Sequence, residues 1–258
     1  MARLGIIGGT GAAQLAALLA ESAGGEAAES HDVESRFSSN PVPLALWRYG
    51  SHEVFFIERH GPDAVVPPHR VNYRANIDAL RIIEADFVVS MNAVGGITTD
   101  GDAGAPGGLV LPHQIIDYTW GREHTFYDGN AAELDHIEFT RPFSEPLRQL
   151  LLTAAGASGV QLRAQAVLGV TQGPRLETAA EIDRLERDGC DIVGMTAMPE
   201  AALAVEAGLE YASLCGVVNA AAGRSAAPIH DQIEACVSSC MAQSRSIVEE
   251  LLAGLTTG

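Results

Sequence analysis

Short runs of apolar, β-branched residues alternate along the chain with stretches of helical periodicity, and this alternation constrains the fold more than any other feature. Strands interleaved with helices predict an α/β fold, in which a mixed central β-sheet is flanked by helices. The predicted strands cover residues 4–7, 54–57, 87–90, 166–170, 191–194 and 212–218. The predicted helices cover residues 74–84, 145–155, 178–187, 199–207 and 231–252, with Pro199 at the first position of the fourth.

The organisation of the chain indicates one domain over residues 1–258, because no shift in composition marks a linker and no internal repeat is found. Residues 21–43 and 117–135 have the least regular pattern. We expect these two stretches at an edge of the sheet or facing a partner.

Charge and cysteine usage exclude several classes of protein. The 16 Lys and Arg against 33 Asp and Glu give a net charge of −17 without a basic block, so nucleic-acid binding is not expected. Because no apolar run approaches a membrane span and no signal-peptide cleavage site is found, we expect a soluble cytoplasmic protein without membrane partners. The eight histidines lack H-x-x-x-H and HExxH spacing, and the four cysteines form no CxxC pair. Neither a metal site nor a disulfide framework is predicted.

Two glycine-containing motifs directly follow predicted strands. In Gly8-Gly9-Thr10-Gly11, backbone amides and the Thr10 hydroxyl would form a cradle for an anion, although a tight turn that requires glycines explains the motif as well. In Arg59-His60-Gly61, the Arg59 guanidinium would lie at the same sheet end, suited to bidentate contact with an oxyanion. The alternative for this motif is a surface Arg with a capping His.

Further strand ends carry small or polar residues. Asn92-Ala93-Val94-Gly95-Gly96 is expected to be a turn after residues 87–90 that lets the backbone approach a ligand. Glu177 would lie in the first turn of a helix, where it either caps the helix or points into the cleft. Met195-Thr196 and Asn219 follow later strands, with core packing and an Asx turn as the alternatives. Because ligands gather at the carboxyl ends of strands, this repeated construction predicts one shared pocket.

Taken in order, these motifs resemble those of the trimeric purine nucleoside phosphorylase and methylthioadenosine phosphorylase family over nearly the whole chain. The matching segments are Ile6-Ile7-Gly8-Gly9-Thr10-Gly11, Arg59-His60-Gly61, Val71-Asn72-Tyr73-Arg74-Ala75-Asn76, Gly173-Pro174-Arg175 and Met195-Thr196-x-x-Pro199-Glu200. The resemblance implies phosphorolysis, in which inorganic phosphate attacks C1′ of a purine nucleoside and releases the base. It also implies a homotrimer and no cofactor, with phosphate as a co-substrate.

The resemblance assigns roles to individual residues. Phosphate would be held by Thr10, Arg59, His60, Asn92, Ala93 and Thr196. The catalytic residues would be Asn219, Arg59 and His60, because a ribosyl centre that becomes cationic needs a nearby anion and a stabilised leaving purine. Nucleoside contacts would come from Leu176, Glu177, Met195, Asn219, Ala221, Ile233, Val237 and His136.

The expected base pocket departs from that of the methylthioadenosine enzymes. Those carry Asp at the position of Asn219 and a second Asp at the position of Ala221. A neutral amide donates to O6 while accepting at N7, which favours a 6-oxopurine. The pair Glu177-Thr178 resembles that of the 6-oxopurine phosphorylases, whose carboxylate accepts the N1–H that adenine lacks.

The residues expected around the 5′ position of the sugar differ from those of the inosine phosphorylases. Inosine phosphorylases place a His against the 5′-hydroxyl, in the segment where this chain has Ile233 with Ile229 and Val237 nearby. An apolar pocket suits a methylthio group, although these residues also fit the core stripe of the helix. His136 resembles the family residue that reaches across the trimer interface into the neighbour's 5′ pocket.

A 6-oxopurine joined to a 5′-methylthio group describes S-methyl-5′-thioinosine, which is therefore the expected substrate. Methylthioadenosine is the second expectation, and inosine or guanosine the third. A protein that binds purines or other aromatic ligands on the same scaffold without turnover is the non-enzymatic alternative.

Overall fold

A mixed sheet organises the chain in the computed structural model, which describes residues 1–25, 28–98, 105–129 and 134–256. The strands are β1 (Arg3–Gly8), β2 (Glu29–Val33), β3 (Val42–Tyr49), β4 (His52–Glu58), β5 (Phe87–Gly96), β6 (Leu109–Val110), β7 (Gln114–Asp117), β8 (Leu162–Arg163), β9 (Val167–Val170), β10 (Ile192–Gly194) and β11 (Glu210–Ala220). The helices are α1 (Ala12–Ser22), α2 (Tyr73–Ile82), α3 (Glu145–Ser158), α4 (Ala179–Arg187), α5 (Ala197–Glu206) and α6 (Ile229–Thr256), and a short 3-10 helix covers Pro68–Arg70.

The sheet runs in the order β2-β3-β4-β1-β5-β10-β9-β7. β1 is parallel to both β4 and β5, whereas β10 is antiparallel to β5 and parallel to β9. β11 pairs in parallel with β5 along its other edge and also contacts β6. The predicted class, a mixed α/β fold with helices around a central sheet, is confirmed.

Alternating side chains of the central strands enter two different cores. Leu4 and Ile6 of β1 pack with residues of α1, α3 and α6, whereas Ile7 packs with residues of α2 and α5. Because both faces of the strand are covered, both sets of side chains are apolar. This two-sided burial explains why the central strands read as continuous apolar runs in the sequence.

One local prediction is wrong, and another is confirmed. Residues 92–96 form no turn, because β5 continues through them as it pairs with β11 as far as Gly96. α5 starts at Ala197, but Met198 within it has non-helical dihedral angles (φ −114°, ψ 133°), so the helical segment after this kink begins at Pro199, as predicted. The Met198 carbonyl accepts a hydrogen bond from Arg122 at 2.6 Å.

Several elements were not predicted from the sequence, and α1, β2 and β3 are the longest of them. α1 follows the glycine turn directly, and its Ala- and Leu-rich sequence has the high helix propensity that would have indicated it. β2 and β3 form an antiparallel pair at the edge of the sheet, where β2 exposes most of its side chains and lacks an apolar run.

In the described ranges, no helix combines the length and apolar character needed to cross a membrane.

Candidate active site

A cavity of about 530 Å³ opens where β1, β4 and β10 end and beside β11. Residues from separate predicted motifs line it together: Thr10, Arg59, His60, Ala93, Leu176, Glu177, Met195, Thr196, Asn219, Ala221 and Ile233. Asn92, Val237 and His136 are not among the lining residues. The expected shared pocket is therefore present at the carboxyl ends of the strands.

The glycine turn lies directly against Arg59. Gly8 and Glu58 are register partners in the parallel pair of β1 and β4, and the Arg59 amide donates to the Gly8 carbonyl at 3.0 Å. A Cβ atom on Gly9 would lie 2.7 Å from Nη1 of Arg59 and 2.9 Å from the Met91 carbonyl oxygen. Gly11 has φ +87° and begins α1 in the left-handed region. The glycines are required by the turn and also bring its backbone to the cavity.

Arg59 differs from the exposed bidentate donor that the sequence suggests. Its side chain is 1% exposed, and its Nε and Nη2 donate to the two carboxylate oxygens of Glu200 at 2.8 and 3.0 Å. Burial opposes the charge of Arg59, but the Glu200 carboxylate outweighs this effect and raises the pKa of the guanidinium. Nη1 donates to the Met91 carbonyl at 3.3 Å and lies beside Gly9, which lines the cavity. The bidentate edge is thus occupied within the protein, because a buried cation needs a fixed partner.

Glu200 is the centre of a buried polar network. Besides Arg59, its carboxylate accepts hydrogen bonds from the hydroxyls of Ser90 at 2.5 Å and Tyr211 at 2.9 Å. Glu200 itself is fully buried. These hydrogen bonds fix the position of the carboxylate and, through it, the orientation of Arg59.

His60 lies beside Arg59 in a defined tautomer. Its Nδ1 lies 2.7 Å from the Val66 carbonyl oxygen, which can only accept, so Nδ1 carries the proton. Burial lowers the pKa of His60, the hydrogen bond to Val66 opposes this, and the charge of Arg59 adds to the lowering. In the neutral ring, Nε2 is left as a hydrogen-bond acceptor.

Asn92 lies behind the cavity wall and does not line it. Its amide donates to Ser213 at 2.6 Å and Ser90 at 3.1 Å, and its carbonyl oxygen accepts from the Thr196 hydroxyl at 2.7 Å. Thr196 does line the cavity. Asn92 therefore does not face the cavity but holds Thr196, which does. The reason is that β5 continues through Asn92 and its side chain is buried.

Glu177 does not cap α4. Thr178 occupies the N-cap and forms a reciprocal capping box with Glu181. The Glu177 carboxylate instead accepts a hydrogen bond from the Thr171 hydroxyl at 2.6 Å and lines the cavity. Of the two interpretations of this residue, the structure supports the one in which the carboxylate faces the cleft.

Asn219 lies near the end of β11, opposite Gly95 of β5. It is 6% exposed, lines the cavity and donates from Nδ2 to the Ala220 carbonyl at 2.8 Å. A Cβ on Gly95 would lie 3.2 Å from this Nδ2. The amide is thereby held against the strand, and Ala221 beyond it is buried.

Apolar residues of α6 and its preceding turn complete the lining. Ile229 and Ile233 line the cavity, together with Val65 and Val66 from the segment after β4. Val237 lies one helical turn further on and packs against the glycine turn, 3.0 Å from the position of a Cβ on Gly11. Val237 is therefore not among the residues that line the cavity. His136 is exposed and outside the cavity.

Two buried charged residues near the site were not selected from the sequence. Glu200 stands in a matching motif, but only the fold brings it to Arg59. Arg122 lies in an irregular stretch, and no sequence signal separates it from a surface arginine.

Within the described ranges, no group of three or more His, Cys, Asp or Glu side chains could hold a metal ion.

Comparison with known proteins finds a matching family model and several similar sequences. The family model of the phosphorylase superfamily matches residues 3–253. A probable S-methyl-5'-thioinosine phosphorylase of Xanthomonas campestris pv. campestris is 48% identical over 220 residues, which cover 85% of this chain and 84% of that protein. A probable 6-oxopurine nucleoside phosphorylase of Moorella thermoacetica is 34% identical over 254 residues, covering 98% of this chain and 93% of that protein.

Solved structures show the same fold. The methylthioadenosine phosphorylase of Schistosoma mansoni in complex with adenine has a TM-score of 0.87 at 29% identity, covering all of this chain and 93% of that one.

Proposed function

The chain belongs to the phosphorylase superfamily, and from this premise we propose that it cleaves 5′-methylthio purine nucleosides with inorganic phosphate, with S-methyl-5′-thioinosine as the main substrate. The products are hypoxanthine and 5-methylthioribose 1-phosphate. The relatives named S-methyl-5'-thioinosine phosphorylase support this choice of substrate.

In the proposed reaction, a phosphate oxygen forms a bond to C1′ while the bond from C1′ to N9 breaks. The electron pair of the broken bond goes to the purine, so negative charge develops on the base as positive charge develops on the ribose. Catalysis then consists of positioning both partners and stabilising these charges. Asn219 would donate to the purine at O6 or accept from N7–H, and Glu177 would accept from N1–H.

Phosphate would lie among the glycine turn, His60 and Thr196. The second N–H of Arg59 Nη1 and backbone amides near Thr10 would supply donors on this side of the cavity, while the Thr196 hydroxyl, which donates to Asn92, would accept. Neutral His60 can accept the proton of a phosphate monoanion at Nε2. Because Glu200 already balances Arg59, phosphate meets a site that is preorganised without a large excess of positive charge.

One observation carries the choice of substrate: a neutral amide and a carboxylate share their cavity with an apolar α6 wall. Asn219 and Glu177 provide the polar groups that a 6-oxopurine requires, whereas Ile229 and Ile233 offer no partner for a 5′-hydroxyl. This combination matches a 6-oxopurine carrying a 5′-methylthio group.

The test is base release from S-methyl-5′-thioinosine, methylthioadenosine and inosine, each measured with and without phosphate. We expect phosphate-dependent release with the highest kcat/KM for thioinosine. A preference for methylthioadenosine would show that Asn219 does not determine the choice of base. Absence of release from all three nucleosides would favour a binding protein without turnover.

Methylthioadenosine is the second candidate substrate. It is favoured by the fold similarity to the Schistosoma mansoni methylthioadenosine phosphorylase, which was solved with adenine. It is disfavoured by Asn219, because an amide gives a weaker acceptor than a carboxylate for an amino group and for N7–H.

We also propose that the protein forms a homotrimer in the cytoplasm and needs no cofactor. The resemblance of its motifs to the trimeric class supports the assembly, and exposed His136 is available for a neighbouring subunit's 5′ pocket. Light scattering after size-exclusion chromatography tests the trimer, cell fractionation tests the location, and activity after exhaustive dialysis against chelator tests the absence of a cofactor.

A further inference from the structure

Arg122 is a buried arginine that lies outside the cavity and holds together two of the loops that form it. It is 9% exposed and follows β7 in an irregular segment. Its guanidinium donates to the carbonyls of Thr171 and Gln172 on one side, at 3.3 and 2.8 Å. On the other side it donates to the carbonyls of Met195 and Met198, at 2.8 and 2.6 Å.

The two loops leave neighbouring strands. Thr171 and Gln172 directly follow β9, and Met195 directly follows β10, its parallel neighbour. The last sheet-like bond between them runs from the Thr171 amide to the Gly194 carbonyl at 2.9 Å. Beyond that point, Arg122 continues the connection that the sheet no longer provides.

Each loop carries a different part of the proposed site. Thr171 orients the Glu177 carboxylate, which belongs to base recognition. The loop after β10 carries Met195 and Thr196, which belong to ribose and phosphate recognition. The loops also touch directly, since a Cβ on Gly173 would lie 2.5 Å from the Met195 sulfur. Their relative position therefore sets the distance between the base and the sugar sites.

Only a guanidinium can make this connection in one side chain. Nε and Nη2 face the loop after β9, where Nε also meets the Gln172 side-chain oxygen at 3.2 Å. Nη1 faces the loop after β10 and the Tyr73 hydroxyl at 3.2 Å. An ammonium group is a point charge with three donors and does not span both loops in this planar arrangement.

We infer that Arg122 is a positioning residue, which fixes the loop of Glu177 relative to the loop of Met195 and Thr196 so that base, ribose and phosphate align for reaction. This inference rests on the proposed function. A misalignment of about 1 Å that originates away from the reacting atoms can lower a rate by about 100-fold. A ligand that contacts one loop alone is not affected by such a misalignment.

The experiment compares whole nucleoside with its parts in Arg122→Lys. We expect kcat/KM for S-methyl-5′-thioinosine to fall by about 10- to 100-fold, mostly through kcat. Calorimetric affinities for hypoxanthine alone and phosphate alone are expected to stay within about twofold, because each is bound largely by one side of the site. Equal losses for nucleoside and for the separate parts, or an unchanged kcat/KM, would overturn the inference.

Arg148→Lys is the matched control. Arg148 is 5% exposed and also donates to backbone carbonyls, those of Pro112, Leu111 and Ala164, but none of these three residues lines the cavity, whereas Met195 does. The free energy of unfolding is expected to fall in both variants, whereas kcat/KM falls only in Arg122→Lys. An equal fall of kcat/KM in the control would show that Arg122 only stabilises the fold and does not position the loops.

Tyr73→Phe supplies a milder second variant if Arg122→Lys does not fold. It removes the hydroxyl that accepts from Arg122 and donates to the Pro68 carbonyl at 2.8 Å. We expect the same pattern at about a few-fold magnitude; an unchanged kcat/KM would contradict the inference. Calorimetric affinity for the nucleoside, measured without phosphate, separates the two proposals. Wild-type protein that binds thioinosine but releases no base once phosphate is added removes the proposed function, while weaker nucleoside affinity in the variant still supports the role of Arg122.

Discussion

Two buried arginines lie in and beside the cavity, and different kinds of acceptor satisfy their hydrogen bonds. Arg59, on the side of the cavity proposed for phosphate, is neutralised by the fully buried carboxylate of Glu200. Arg122, which joins the loops after β9 and β10, donates to carbonyls, an amide oxygen and a tyrosine hydroxyl, and no carboxylate accepts a hydrogen bond from it in the described part of the chain. Burial lowers the pKa of Arg122, whereas the Glu200 carboxylate raises that of Arg59.

The difference follows from what each arginine must hold. In the proposed site, phosphate is an anion that arrives and leaves, so an unbalanced buried cation beside it would bind it too firmly and would be costly while the site is empty. Loops require many directional acceptors, which backbone carbonyls provide. Arg59 is thus part of a charge-balanced site, and Arg122 connects backbone segments.

The largest effect is expected for Glu200→Ala. It leaves the Arg59 guanidinium buried without a counter-ion, so the free energy of unfolding should fall by about 3–5 kcal/mol in urea titrations. The double variant Arg59→Met with Glu200→Leu should regain part of this loss and show no phosphate-dependent turnover. A loss below about 1 kcal/mol in Glu200→Ala would mean that the pair is not the charge-balanced unit described here.

Arg59→Ala should abolish most phosphate-dependent catalysis. Removal of a preorganised donor to the reacting anion lowers kcat/KM by about 10²–10³-fold, seen as a raised KM for phosphate, a lowered kcat, or both. Steady-state kinetics with phosphate as the varied substrate measures this. Normal phosphate kinetics in a folded variant would place the phosphate site elsewhere in the cavity.

Asn219→Asp tests the base side alone. A carboxylate accepts from a 6-amino group and repels O6, so the ratio of kcat/KM for thioinosine to that for methylthioadenosine should fall by about tenfold or more. The KM for phosphate should change little, because Asn219 belongs to the other side of the cavity. An unchanged ratio would remove the donor and acceptor argument for the choice of substrate.

The smallest effect concerns His60, whose pKa is lowered in the folded protein. As the pH falls below the unfolded value of about 6.5, the unfolded state takes up this proton first, so stability is lost until the folded pKa is passed. His60→Asn lacks this proton uptake. Its free energy of unfolding should therefore fall less than that of the wild type between pH 7.5 and 5; parallel profiles would mean that His60 is not protonated differently in the two states.

Much of the architecture could be predicted from local pattern. The predicted strands at residues 4–7 and 54–57 lie within β1 and β4, and their apolar runs are long because both faces are covered. Thr10 and Arg59 were expected at one sheet end, and the parallel register of β1 and β4 brings them there. Short motifs of this kind are readable because a turn requires particular residues at particular positions.

The amino-acid sequence by itself determined the α/β class, the glycine turn and the chemical character of Glu177 and Asn219, since these depend on neighbouring residues or on residue type. Only the tertiary structure decided that the Arg59 fork binds Glu200, that Asn92 lies behind Thr196, and that Arg122 joins two loops. Glu200 is 141 positions from Arg59, and Arg122 is 73 positions from Met195. Contacts over such separations arise from the packing of strands and loops, which no local pattern of residues encodes.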